Sequence, residues 1–343
     1  MVIRVGVIGC GAIGSWHARI VAESGRGALV AVCDHNADRA AACAHGAQVF
    51  TSEQAFFACP MDAVVIATPE SEHLHQLAAA VGAGRHVLVE KPVAPSLREM
   101  EAMQALVQDA GICAMAAHVE RFEPGSAGLI EAVRQGTPGR VSTIVARRQF
   151  SPGGVERFAG ISSTLRILAV HDFDLARWVH PAPVDSVFAM AARGAIHERH
   201  GLDDHVFTII RFSDGIVAMV ESGWTLPPGY AGFDTPEGWQ GAGNNRLEVF
   251  GEEGFVSNDM GLRMQPLVAF AGAEGFRAAG IRHQPVVHGR VRGALRAEVD
   301  HFLDCCISGE TPAVTLEDAR RAVALLDAAE ASLVSGVPER PVA

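Results

Sequence analysis

Residues Val2 to Asp34, VIRVGVIGCGAIGSWHARIVAESGRGALVAVCD, constrain the fold more than any other stretch of the chain. An apolar run (Val2, Ile3, Val5, Val7, Ile8) stops at Gly9. Gly9-Cys10-Gly11-Ala12-Ile13-Gly14 then passes directly into a helical pattern with Ile13, Trp16, His17, Ile20 and Val21 on one side. The order is strand, tight turn, helix. Gly9 permits the turn, Gly11 lets backbone approach a pyrophosphate, and Gly14 lets the helix pack on the strand. The helix start, at Ala12 and Ile13, offers phosphate its free N–H groups and the positive end of its dipole. A second apolar run, Leu29 to Cys33, ends at Asp34, about 20 residues past Gly14, where a dinucleotide-binding unit carries a carboxylate for the adenosine ribose. That carboxylate repels a 2′-phosphate, and Asp34-His35-Asn36 puts no arginine directly after it, although Arg39 is near. The pattern therefore points to NAD(H) over NADP(H), with Gly9, Gly11, Ala12, Ile13, Gly14, Asp34 and His35 on the cofactor.

A chain of 343 residues exceeds a comfortable single core and suits two domains. A dinucleotide-binding Rossmann domain is expected over 1–120. A domain for substrate and oligomerisation is expected over 121–343, its C-terminal helix a candidate to pack back on the first. The formal charge of −11 leaves no basic footprint for nucleic acid and no polybasic membrane patch. No charged leader with an apolar core opens the chain, and no run of about 18 uninterrupted apolar residues follows. The expectation is a cytoplasmic protein. Its seven cysteines are scattered without a CxxC pair, and its fifteen histidines lack a repeated ligand spacing, so no metal is expected.

Met61 to Ala67 reads as a fully buried strand ending at Thr68-Pro69, which at the carboxyl end of a parallel strand are placed to line the cofactor. Ser71 is expected to cap a helix over Glu72 to Ala83 that carries His73 in its first turn. His86 to Val89 is a further strand closing on Glu90-Lys91-Pro92, and Ser96 to Glu99 is a capping box. Alternating strand and helix argues an α/β doubly wound parallel sheet. Extended runs then follow one another over Val184 to Ala192, His205 to Phe212, Ile216 to Trp224 and Arg246 to Phe250, with Asp214-Gly215 as a hairpin turn. Strands without intervening helices imply an α+β domain with a large, mostly antiparallel open sheet. Pro227 to Asn245 reads as an irregular loop.

With GCGAIG and Glu90-Lys91-Pro92 in place, the sequence resembles the Gfo/Idh/MocA oxidoreductases, the family of glucose-fructose oxidoreductase and inositol dehydrogenases. Ala67-Thr68-Pro69 with His73, His118 to Phe122, His171-Asp172-Phe173-Asp174-Leu175-Ala176-Arg177-Trp178, and Glu298, Phe302 and Pro312 extend the likeness over nearly the whole chain. The resemblance implies hydride transfer between nicotinamide and a hydroxyl or keto carbon of a sugar, cyclitol or related polyol. It also implies a homodimer or homotetramer built through the C-terminal sheet.

Oxidising a secondary alcohol requires a group that takes the hydroxyl proton as hydride leaves carbon. Lys91, at a strand end beside the nicotinamide, suits that place, with Glu90 and Lys91 both near the cofactor. His171 is the second candidate, a proton relay by resemblance. The family commonly places an Asp four residues before this His, and here that position is Ile167, so the pair is incomplete. Either His171 works alone with Lys91, with Asp172, Asp174 or Asp204 supplying charge from another direction, or the oxidoreductase chemistry is slow, altered or lost. Glu120, Arg148 and Asp174 are candidates for substrate contact, while Trp224 reads as a packing residue. Two other functions fit the same residues: a hydrolase or lyase that retains NAD and oxidises transiently, and a non-catalytic NAD or sugar sensor.

Overall fold

The computed structural model describes residues 2–227, 243–259, 268–270, 276–278 and 284–342, and the chain divides into two compact units. Met1–Phe122 and Val286–Val323 form the first. Glu123–Pro285 and Ala324–Ala343 form the second. The backbone thus leaves the first unit after Phe122, returns to it at Val286, and crosses once more within its last helix. Most of the loop expected over Pro227 to Asn245 lies outside the described residues.

In the first unit, β1 (Ile3–Ile8), α1 (Ala12–Glu23), β2 (Gly27–Cys33), α2 (Ala37–Ala42), β3 (Gln48–Phe50), α3 (Glu53–Ala58) and β4 (Ala63–Ile66) alternate along the chain. They continue with α4 (His73–Gly82), β5 (His86–Glu90), α5 (Leu97–Val107) and β6 (Ala114–Ala117). The strands form one parallel sheet in the order β3-β2-β1-β4-β5-β6. Val64, Val65, Ile66, Val87, Leu88 and Val89 are fully buried, the continuous apolar run of strands covered on both faces. The chain turns back between β1 and β4, and a ligand crevice lies outside the carboxyl ends of strands at such a switch point. Asn36, Ser52 and Ser96 cap α2, α3 and α5 through side-chain oxygens. Ser71, the expected cap of α4, instead lies in a 3-10 turn over Glu70–Glu72, with its hydroxyl on Glu72, and α4 opens at His73.

The second unit begins with α6 (Pro124–Arg134), whose first turn is capped by Glu123, and β7 (Val141–Gln149). A π-helical turn, Leu165–Ala169, runs directly into α7 (Val170–Val179). Then come β8 (Val184–Ala192), α8 (Ala195–His200), β9 (His205–Phe212), β10 (Val217–Gly223), β11 (Asn244–Gly251) and β12 (Phe255–Asp259). These strands form a sheet of order β12-β11-β7-β10-β9-β8, antiparallel except for β7 beside β10. Asp214-Gly215 closes the β9–β10 hairpin, with Gly215 at φ 90°. The pleat sorts the residues. Val206, Thr208, Ile210 and Phe212 face the core, whereas Phe207 and Ile209 of β9 and Met190 of β8 are 45 %, 38 % and 62 % exposed. Helix α8 has no period signal in its six residues. The Asp204 carboxylate, from beyond the helix, accepts the N–H groups of Gly194, Ile196 and His197 and holds it in place.

Two short antiparallel pairs, β13 (Val268–Phe270) with β14 (Phe276–Ala278) and β15 (Val286–Val287) with β16 (Arg290–Val291), precede α9 (Ala294–Ser308) and α10 (Leu316–Ser335). Within the first unit α9 packs against α1 and β1, and its Leu295, Val299, Phe302 and Leu303 are buried. No helix among the described residues is long and apolar enough to cross a membrane.

Candidate functional site

The three glycines of the turn differ in what surrounds them. A Cβ at Gly9, where φ is +89°, would lie 2.5 Å from the Ala67 carbonyl, so the loops after β1 and β4 touch at backbone distance. A Cβ at Gly14 would stand 1.8 Å from the Gly9 oxygen, which fixes glycine as the residue where helix meets turn. At Gly11 it would meet nothing within 4 Å. The protein itself leaves that position open, as close approach of a pyrophosphate requires. No side chain caps α1 and no acid lies in its first turn, so the N–H groups near Ala12 and Ile13 present positive partial charge to a ligand.

Asp34 is buried at the end of β2. Its Oδ2 accepts the Cys10 N–H and its Oδ1 the Asn36 N–H, both at 2.9 Å, so the carboxylate is anchored to the glycine turn. His35 beside it is exposed. At the end of β4, the Thr68 hydroxyl bonds Gln76, and His73 is buried between two carbonyls, Thr68 O at 2.9 Å and Val93 O at 3.0 Å. Burial lowers the His73 pKa despite these acceptors, so the ring is neutral and donates to one of them. It braces the loop carrying Thr68 against the segment after Lys91. Pro69 is exposed.

Glu90 ends β5 and Lys91 follows it directly, and the Lys91–Pro92 peptide is cis. The Glu90 Oε2 accepts the Lys91 N–H at 3.1 Å and Oε1 lies 2.7 Å from His17 Nε2. Burial alone would raise the Glu90 pKa. The hydrogen bond and charge of His17, with the charge of Lys91, outweigh it and hold the group below the ordinary carboxylate range. His17 and Glu298 of α9 complete a buried cluster around Glu90. Both residues stand out in the sequence, His17 on the apolar side of the first helix and Glu298 in the family resemblance, but neither is assigned to the site there. The signal was a His on the buried side of α1 and a Glu at a core position of α9 (Leu295, Glu298, Val299, Phe302). Glu120 is buried in the 3-10 turn Val119–Phe122 of the same unit.

In the second unit, Arg148 lies on the core face of β7 and grips Asp172 with Nε at 2.9 Å and Nη2 at 3.0 Å. Both side chains are buried, so two candidates for the site form one ion pair. Asp174 is buried two residues further along α7, and His171 is half-buried at its start. Asp204 is engaged in capping α8. Burial pushes its pKa up, but three backbone N–H groups more than compensate and hold it low. Ile167 belongs to an apolar cluster with Val155, Leu168, Ile196, Leu202 and Trp224. The Trp224 ring is buried there, its Nε1 on Thr164 Oγ1 at 3.1 Å, in the packing role expected of it.

A strand-order switch point, an open glycine turn, an uncapped helix start and an anchored acid at the end of β2 are the features of a dinucleotide-binding Rossmann domain. The signature of the GFO/IDH/MocA oxidoreductase family, NAD-binding Rossmann fold, matches residues 3–118, and that of the GFO/IDH/MocA C-terminal domain matches 128–257. The chain belongs to this family, and its cofactor is NAD. It is 28% identical to scyllo-inositol 2-dehydrogenase (NAD(+)) of Bacillus subtilis over 98% of this chain and 95% of the relative. It is 27% identical to myo-inositol 2-dehydrogenase of Thermotoga maritima over 96% of each. The crystal structure of a myo-inositol dehydrogenase from Corynebacterium glutamicum shares the fold, with a TM-score of 0.80, 24% identity and all of both chains covered.

Proposed function

We propose that the protein is an NAD-dependent dehydrogenase acting on a secondary CH–OH group of a cyclitol such as an inositol, or of a related polyol. When bound, NAD supplies the hydride acceptor. The glycine turn and the start of α1 hold its pyrophosphate, and Asp34 meets the adenosine ribose. Thr68, Pro69 and the His73-braced loop line the same crevice. Lys91 holds the substrate oxygen and takes the hydroxyl proton as hydride departs, then returns it in the reverse direction. His171 is assigned proton transfer in the second unit. Arg148 serves by fixing Asp172 beside it, and Asp174 and Glu120 supply buried carboxylates. The observation that carries this reading is the placement of Lys91 at the carboxyl end of β5, with its backbone N–H tied to an ionised Glu90. Lys91→Ala is expected to lower kcat for inositol oxidation about 10²- to 10⁴-fold, followed by NADH absorbance, with little change in calorimetric NAD affinity. Normal turnover would refute the role.

The apolar setting of Ile167 favours one alternative, a protein that binds NAD and cyclitol without turning over, and an absence of NADH from every member of a polyol panel would select it. The exposed apolar residues Met190, Phe207 and Ile209 on the open sheet face support assembly of two or four copies through that face. Seven free, buried thiols suit a reducing cytoplasm.

A further inference from the structure

Behind the strand end that carries Lys91, three ionisable side chains meet without solvent: His17 of α1 and Glu298 of α9 are 0 % exposed and Glu90 of β5 is 7 % exposed. Their ligand atoms all lie within 4.8 Å of one another. Glu90 is well supplied with partners, His17 on one oxygen and the Lys91 N–H on the other. Neither oxygen of Glu298 meets a hydrogen-bond partner among the described residues. Two ionised carboxylates this close and this dry would repel each other while both lose hydration. A proton on one of them removes the repulsion and one of the two desolvation penalties.

The neighbours decide which acid keeps the proton. Of the charged groups on elements packed against α9, Arg4 of β1 is paired with Asp62, Arg19 of α1 with Glu23, and Arg121 of the Val119–Phe122 turn with Asp318. Glu120 in that turn is a further buried acid. On α9 itself Arg296 pairs with Asp300, Asp304 with Arg26, and His301 Nε2 accepts the Ala313 N–H. Burial, and after it the negative charge of Glu90, raise the Glu298 pKa well above the ordinary range.

We infer that Glu298 is a positioning residue for Lys91, a neutral carboxylic acid that leaves Glu90 as the one negative charge of the cluster against which Lys91 holds or releases its proton. The inference rests on Lys91 being the group at the substrate oxygen. A second buried negative charge would hold the ammonium proton more tightly and remove the base at neutral pH.

Two measurements test it. An infrared difference spectrum between the wild type and Glu298→Gln at neutral pH is expected to contain the carbonyl band of a protonated carboxylic acid, and it needs no turnover. In inositol oxidation the acid limb of kcat/KM follows deprotonation of Lys91. Glu90→Gln is expected to move that limb to lower pH by about one unit or more, whereas Glu298→Gln leaves it in place. Glu298→Ala is expected to lower kcat several-fold, with Gln restoring most of it. Absence of the band overturns the neutral acid, and so does a limb in Glu298→Gln that moves as far as in Glu90→Gln. A stoichiometric metal ion lost in Glu298→Gln overturns it as well. Full turnover by Lys91→Ala would refute the assignment of Lys91, and with it the positioning role, while leaving the infrared band unchanged.

Discussion

Asp34 and Asp172 are both buried acids beside an element that the sequence motifs single out, yet they are held in opposite ways. Asp34 accepts two backbone N–H groups, one of them two residues away and the other in the turn that its own βαβ unit creates. Asp172 is held by the guanidinium of Arg148, a side chain from a strand on the far side of a loop and a π-helical turn. The first unit builds its site from backbone that follows parallel strands, and the second from side chains that the sheet brings together. Backbone sites tolerate many side chains but few changes of shape. Side-chain sites behave in the reverse way, because each member is buried on the condition that its partner is present.

The sharpest way to break that distinction is Ile167→Asp, which installs the acid that the family resemblance implies four residues before His171. In this chain the position belongs to the apolar cluster around Trp224. A carboxyl there would lose its water without a partner already in place. The expected result is a loss of stability of about 3 kcal/mol in urea unfolding, with no gain in kcat. A variant that is equally stable and turns over faster would mean that the second unit tolerates its site as freely as the first.

A smaller contrast within the first unit sharpens the comparison. Gly14→Ala drives a methyl group into the Gly9 carbonyl, where only backbone movement relieves the overlap, and is expected to cost about 1–3 kcal/mol of stability. Gly11→Ala adds a methyl where the protein has open space, so unfolding should shift by no more than about 0.5 kcal/mol. Its NAD affinity, read by calorimetry, should fall by about tenfold or more, near 1.4 kcal/mol. Equal effects of the two substitutions on stability would remove Gly11 from the coenzyme and return it to the fold.

These contacts also explain what was legible in the chain. The glycine turn, Asp34, the parallel sheet and the hairpin at Asp214-Gly215 depend on neighbours a few residues away or on strand periodicity, and both are visible in a linear string. The Arg148–Asp172 pair, the capping of α8 by Asp204 and the meeting of His17, Glu90 and Glu298 depend on which faces the pleat and the helices turn inward. Arg147-Arg148-Gln149 illustrates the limit. Three polar residues in a row read alike, but the pleat sends Arg148 to Asp172 in the core and sets Arg147 and Gln149 on Glu221 across the other face. The π-helical turn before His171 has no periodic signature, because it carries an extra residue in its turn.

A small expected effect comes from a contact that is mostly local. Glu317 in the first turn of α10 receives Arg320 and Arg321, three and four residues on, together with Gln104. The hydrogen bonds from Arg320, chief among these partners, hold its pKa down to about 2. A carboxyl depressed by folding adds stability that is complete above its unfolded value, near 4.5, and is lost as pH falls through about 2. The side chain is 40 % exposed, so solvent screens the pairs, and Glu317→Gln should cost only about 0.5–1 kcal/mol at pH 7. That difference should shrink between pH 4.5 and 2 and vanish below, in urea unfolding of both proteins across the range. A penalty that persisted undiminished at low pH would assign the effect to helix propensity or to the Gln104 contact. A penalty as large as that of Ile167→Asp would show that contacts between near neighbours in sequence weigh as much here as those assembled by the sheet.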